Sequence, residues 1–494
     1  MKKINKKDLI TYSIMFIITC LIFSPLLTGH YASDSYNIYN IGYHDYAIKY
    51  SLNDGRIFMA ILGLIASKIN ISIDTYAFIT LFFALIISNI TIMVLNKIIK
   101  KYKEPKNIFQ EIIVIIISYI TVFNFMYLEN MYFVECIVMA ASVLLFIISA
   151  DILVEKNNKY FIKSTILTIL GIMFYQGTIG IFFAFVFLFT ILKNKNNIKQ
   201  IIIDLIKSGI IAAIGVLVDL IIVKIVGCIL NMNQSRYGSL ADISKNIKYI
   251  ISVFPRIMKV NCGLFPKNIL IIFLNILTII VVLYQVRNLK KGDYTIYKFL
   301  AIIVITILSG FVIHLTTLTS IDTGRLKNSL GALVGIIFIF LYIETDLLDN
   351  KGKLSKITIL TMLVFAIINI FNYENVILQH KKVNYLEKEE VQKLDEYINN
   401  YEETTGIKVT KIVKIPSYNK SKGYFTSIKN KSIYAYNSMR TYWAADGIIN
   451  FYTNRNLVNV RITKKEKENY ENNRDEQKGY ECIDDTLYID MYII

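Results

Sequence analysis

A polytopic α-helical membrane protein carrying a small C-terminal α/β domain is the fold class that three observations predict for this 494-residue chain. The composition is 54% hydrophobic, and as far as Phe371 the apolar residues gather in Ile/Leu/Phe/Val blocks of about 20, the length that spans a hydrocarbon core. The formal net charge is +17, but residues 376–494 hold 19 Lys+Arg against 17 Asp+Glu, so +15 of it lies in the short stretches between apolar blocks. Beyond residue 375 the blocks give way to amphipathic and alternating patterns.

Apolar blocks fall near residues 9–29, 75–97, 109–127, 132–154, 162–175, 178–193, 200–230, 268–286, 297–317, 328–345 and 356–374, which predicts about eleven crossings. The first follows a lysine-rich start but outruns a signal-peptide core and lacks a small-residue cleavage site, so it is expected to stay as a helix. Basic runs at Lys2, Lys3, Lys6 and Lys7, at 97–106, 156–163, 193–199 and 287–291 fall on one side when the blocks alternate. Cytoplasmic loops carry the Lys/Arg excess. The expectation is a bacterial plasma-membrane protein with a cytoplasmic N-terminus and an extracytoplasmic C-terminal domain. Residues 56–69, RIFMAILGLIASKI, are too short to span and read as an interfacial or re-entrant helix.

The expected division is a transmembrane domain over 1–375 and an extracytoplasmic domain over 376–494. In the second, 387–406 has the spacing of an amphipathic helix ending at Gly406, 407–416 alternates like a strand, 456–463 and 486–493 are further strands, and 436–452 begins as a helix.

Lysines flanking spans account for the positive charge, which excludes nucleic acid as the expected partner and leaves membrane lipid. The five cysteines, Cys20, Cys136, Cys228, Cys262 and Cys482, form no CxxC pair, so neither a zinc site nor a redox pair is expected.

The loop expected outside after the first span, residues 29–58, gathers Asp34, Asp45, Asp54, His30, His44 and Arg56 among tyrosines. A carboxylate there has the chemistry to take a proton from an acceptor hydroxyl while cationic groups hold a departing phosphate. A merely polar, solvated loop would have the same composition. Within the apolar blocks Glu135, Asp219, Lys224 and His314 stand out as ionisable groups of the kind that face a bundle interior, and Asp219 and Lys224 are expected to have structural partners on other helices. Outer loop 231–267 carries Arg236, Lys245, Lys248, Arg256, Lys259 and Lys267 against Asp242. Such a loop suits either a lipid phosphate, with Arg236, Tyr237 and Arg325 as ligands, or anionic headgroups in general.

Four motifs in order, 32-ASDSYN-37, 54-DGR-56, 174-FYQGT-178 and 321-IDTGR-325, resemble the bacterial membrane glucosyltransferases of the Gtr type II family, in the GT-C superfamily, over most of the chain. The family commonly has two adjacent aspartates in the first motif, whereas Asp34 stands between Ser33 and Ser35. The resemblance implies Asp34 as catalytic base. Asp54 with Arg56 reads as a structural or substrate-positioning pair. Glu129 and Gln176, with Tyr175 beside it, lie on the level of this loop and suit either sugar hydroxyls or ordinary turn polarity, and Arg236, Tyr237 and Arg325 are the lipid-phosphate candidates. The resemblance further implies transfer of glucose from a polyprenyl phosphate sugar to a cell-envelope glycan, with a flippase and a donor synthase as partners. No metal or cofactor is expected, since the donor is a monophosphate. The rival readings are a lipid-linked sugar flippase or transporter, and a glycan polymerase or lipid- or protein-modifying transferase of similar fold.

Overall fold

The computed structural model describes residues 6–194, 197–231, 242–288, 295–316, 323–349, 352–415, 423, 425, 427–428, 435–463, 468 and 479–491. The helices are α1 (Lys6–Ile22), α2 (Ser33–Ile41), α3 (Ile57–Ile69), α4 (Ile73–Tyr102), α5 (Ile108–Val122), α6 (Cys136–Glu155), α7 (Tyr160–Tyr175) and α8 (Gly180–Asn194). They continue as α9 (Ile198–Leu230), α10 (Ile243–Val260), α11 (Ile269–Arg287), α12 (Thr295–Ser309), α13 (Asn328–Glu344), α14 (Lys353–Thr405) and α15 (Ala445–Thr453). Polar residues before apolar blocks set several starts. The Ser72, Asn107 and Asn197 side chains accept the backbone N–H of Thr75, Gln110 and Gln200, satisfying a donor that the first turn leaves open.

Every expected apolar block contains a helix, but among the described residues six helices are individually long and apolar enough to cross a membrane: α4, α6, α9, α11, the Gly324–Glu344 stretch that contains α13, and α14. The others are shorter. The block at 9–29 breaks after Ile22 and resumes as the short helix Ser24–Leu27, with Pro25 in its first turn. Helices α7 and α8 meet at a 115° bend, a broken span or a re-entrant pair that brings the count to seven if it is one span. The long apolar helices are those of a polytopic membrane protein; six or seven of the eleven expected crossings are long and apolar enough on their own, and the remaining apolar helices, such as α1, α5 and α12, are shorter.

Helix α13 is the hub. Its sequence, NSLGALVGIIFIFLYIE, is apolar around the whole circumference, and 89% of its spanning stretch is buried, against 28% for α9 and α11. It packs on α5, α8 and α12.

Two stretches expected as loops are largely helical. Residues 30–56 form α2, the short helix Tyr43–Tyr46 and a π-helical turn, Ala47–Leu52, with Ile38, Tyr46 and Ala47 buried. Burying these apolar side chains outweighs the turn-forming tendency of the neighbouring Asn, Asp and Gly residues. In the basic stretch 231–267, residues 243–260 form the amphipathic helix α10.

The expected division at 375/376 falls inside α14. Between Gly352 and Gly406 no Gly or Pro interrupts the chain, so the backbone stays helical for 53 residues although its composition changes from apolar to charged midway. Beyond it lies a four-stranded sheet in the order β2-β1-β4-β3. Strands β1 (Lys411–Ile415), β2 (Val458–Asn459) and β4 (Thr486–Asp490) are parallel, and β3 (Tyr480–Ile483) forms an antiparallel hairpin with β4. Strand β3 was not anticipated, and β2 is much shorter than the expected 456–463.

This unit docks on α2. Tyr36 is buried with Val391, Leu394, Ile448 and Ile449, and its hydroxyl lies 3.2 Å from both Glu387 and Tyr452. Asn40 donates to Asp446 at 2.9 Å. Gly447 lies so close to the Tyr36 backbone that a Cβ would collide with its carbonyl. Gly447→Ala is therefore expected to cost roughly 1–3 kcal/mol and lower the Tm of the detergent-solubilised chain, whereas Gly209→Ala, which meets nothing within 4 Å, leaves it unchanged or raises it slightly. Equal Tm values for the two variants would contradict this docking.

Candidate functional site

The sequence motifs converge at one end of the bundle. Asp34 occupies the first turn of α2, where the unpaired N–H groups and helix dipole favour a negative charge. It is half-buried and accepts the Trp443 indole N–H on Oδ1 at 3.2 Å. The 54-DGR-56 turn leads into α3. Gly55 has φ +76°, and the Asp219 carboxylate of α9 occupies the place a Cβ would need, so both the backbone and the neighbour require glycine. The Asp54 carbonyl accepts the Gln176 side-chain N–H at 2.6 Å, tying this turn to the bend between α7 and α8. The bend in turn packs on Gly324–Lys327, the tight turn before α13.

Charges at this junction are largely out of water. The Arg56 guanidinium lies 3.8 Å from Asp54 and 5.2 Å from the centre of the buried Tyr175 ring. Its Nε–H is buried and meets no acceptor among the described residues. Arg325 sits 4.1 Å over the Phe133 ring. Glu129, fully buried, accepts the Arg325 backbone N–H on Oε2 at 2.9 Å and faces its guanidinium at 3.8 Å. Burial pushes the Glu129 carboxyl up, and Arg325 opposes the shift. Both ion pairs are looser than a direct hydrogen bond, so neither carboxylate claims its arginine by a close contact. Arg56 and Arg325 lie near enough for each to oppose the other's charge.

Other sequence candidates separate from this cluster. Asp45 is exposed and pairs with Lys49 at 2.6 Å and His44 at 3.3 Å on the surface. His30 is buried with its ring nitrogens 2.9 Å from the Leu26 and Tyr132 carbonyls, a clamp between segments. Arg236 and Tyr237 lie outside the described residues.

Two acids outside the candidate set read from the sequence belong here. Asp219 abuts the DGR turn. Glu135, the residue before α6, is 2% exposed, and neither of its carboxylate oxygens meets a donor from another described residue. Burial, with Asp34 adding to it and Arg56 and Arg325 opposing, pushes Glu135 up to about 7. The available sequence signal was an acid at the start of an apolar block, which a packing role explains equally well. Lys327, fully buried within reach of Glu129, was also missed.

Because the fold raises the Glu135 pKa above the ordinary carboxylate value of 4.5, it favours the protonated form. That stability is full below the unfolded value and is lost as pH rises through about 7, by at most on the order of 3 kcal/mol. Glu135→Gln is expected to flatten the fall in Tm between about pH 5 and 8, followed by thermal unfolding in detergent. A fall identical to the wild type would show that Glu135 is solvated.

Comparison with known proteins bears on this cluster directly. Neither a curated protein nor a solved structure matches the chain. A family model described as Glucosyl transferase GtrII matches residues 23–343, a stretch that includes Asp34, the DGR turn, Glu129, Glu135, the YQGT bend and Arg325. With well over half its length matched, the chain belongs to the GtrII glucosyl transferase family and is a glycosyltransferase.

Proposed function

We propose that the chain moves glucose, or another hexose, from a polyprenyl phosphate sugar onto a cell-envelope glycan at the outer face of the bacterial plasma membrane. The observation that supports this reading is the gathering of Asp34, Arg56 and Arg325 around the buried Glu135, whose ionisation all three influence, at one end of an apolar bundle. A proton acceptor and an anion clamp are what glycosyl transfer from a phosphate needs, and the clamp lies where a lipid tail can stay in hydrocarbon.

The step is a single displacement. The acceptor oxygen bonds to the anomeric carbon as the bond from that carbon to the phosphate oxygen breaks, inverting the configuration. The hydroxyl proton passes to Asp34, and the bonding pair leaves with the phosphate, whose charge becomes more negative by one. Arg56 and Arg325 offset that charge as it develops, which is when the interaction lowers the barrier. Asp54, Glu129, Tyr175 and Gln176 hold the arginines and the turns that bear them, and Arg236 and Tyr237 remain proposed ligands of the lipid phosphate. A donor synthase and a flippase would supply the lipid-linked sugar, and the basic runs between spans put the N-terminus in the cytoplasm and the C-terminal sheet outside.

In membranes supplied with radiolabelled polyprenyl phosphate glucose and a crude envelope glycan, Asp34→Asn is expected to lower kcat roughly 10²–10⁴-fold. Arg325→Ala and Arg56→Ala should each lower kcat/KM for the donor about 10²-fold or more. A folded Asp34→Asn chain transferring at the wild-type rate would remove Asp34 from the chemistry. Absence of transfer by the wild type from any hexose donor would favour the flippase reading.

A further inference from the structure

The described C-terminal unit beyond α14 lies outside the region matched by the family, yet it reaches Asp34. We propose that Tyr442 and Trp443 form the wall of a subsite for the acceptor sugar, supplied to the Asp34 site by the C-terminal segment. The inference rests on the transfer reading above and names its acceptor side.

Three observations carry it. The first is exposure where burial would be expected. Ala444, Ala445, Ile448 and Ile449 are fully buried, but the two aromatic residues just before them are turned out, Tyr442 49% exposed and Trp443 53% exposed. Large aromatic side chains normally contribute their area to a core, and one left open beside a functional carboxylate offers that area to a ligand.

The second is placement. The indole N–H donates to Asp34 Oδ1, and no described residue donates to the other oxygen. A pyranose lying with its C–H face on the ring therefore has a hydroxyl directed to the open carboxylate oxygen. The buried arginines act with Asp34 on Glu135, so the exposed aromatic pair offers the acceptor a surface separate from the proposed phosphate clamp.

The third is rigidity. The Ser438 backbone N–H donates to Glu387 at 2.7 Å and the Ser438 hydroxyl lies 3.2 Å from that of Ser33, the residue preceding Asp34. Lys414 bonds Asp446 at 2.8 Å and lies 4.8 Å over the Tyr442 ring, while Asp446 also accepts from Asn40 of α2. The aromatic wall and the base are thus mounted on one frame, as a preorganised ligand site requires.

Trp443 is the single tryptophan of the chain, so the intrinsic fluorescence of the full-length protein in detergent reports on this position alone. The probe is a set of soluble oligosaccharides released by mild acid from the envelope of the producing cells. A saturable change in emission is expected on adding them and not on adding polyprenyl phosphate. In the transfer assay, Trp443→Ala should raise the acceptor KM about tenfold and leave the donor KM unmoved, while Trp443→Phe, which keeps a ring, stays within about threefold of wild type. Unchanged emission, or an unchanged acceptor KM in Trp443→Ala, overturns the subsite. Equal increases in both KM values would mean that Trp443 only supports the fold, which overturns it too. If the oligosaccharides change the emission but no hexose donor is used, the subsite stands and the transfer reading fails.

Discussion

Taking a guanidinium or a carboxylate out of water costs several kcal/mol per ion unless an opposite charge accompanies it, and this constraint orders the end of the bundle where the motifs meet. Arg56 and Asp54 come from one turn, but Arg325 needs Glu129, which is 196 residues away, and the Asp54 backbone needs Gln176, 122 residues away. Neither arginine turn is compatible with a folded state that leaves its partner elsewhere. The same contacts that neutralise these charges bring both cations to this end of the bundle, each 3.8 Å from its carboxylate. In the proposed reaction, folding stability and the clamp on the leaving phosphate arise from one arrangement.

The C-terminal segment frames the site from its other side. Helix α14, about 80 Å long at 1.5 Å per residue, begins in the apolar core beside Phe365 and ends under the sheet with Leu394 and Ile398. Along its polar half, Glu387 accepts the Ser438 backbone N–H and the side-chain amide of Asn384, which also bonds the Tyr31 backbone. A single helix thus fixes the sheet and the start of α2 in one register. Asp34 is held between elements from both ends of the sequence, with the Trp443 indole N–H on its carboxylate.

What was legible in the sequence follows from which forces act locally. The apolar blocks and the short helix after Arg56 depend on neighbouring residues and could be read directly. The four motifs were found in the right order, but their meeting depends on contacts across more than a hundred residues, for which periodicity carries no signal. Glu135 and Asp219 were left out of the candidate site because an acid in an apolar block looks the same whether its neighbour is a helix face or a functional turn. Trp443 and Asp34 are 409 residues apart. The continuity of α14 was hidden for a different reason: its composition changes sign midway while its backbone propensity does not, and a division drawn on composition cut through an unbroken helix.

The central claim, that Asp34 serves as the base in a single displacement across an arginine-held phosphate, is tested most directly by the anomeric configuration of the product. Incubating the purified chain with a polyprenyl phosphate glucose of defined anomeric configuration and an acceptor oligosaccharide, then reading the new linkage by NMR, should give inversion at the anomeric carbon. Retention would mean a two-step transfer through a covalent or ion-paired intermediate, with Asp34 or Glu135 as nucleophile, and would contradict the account.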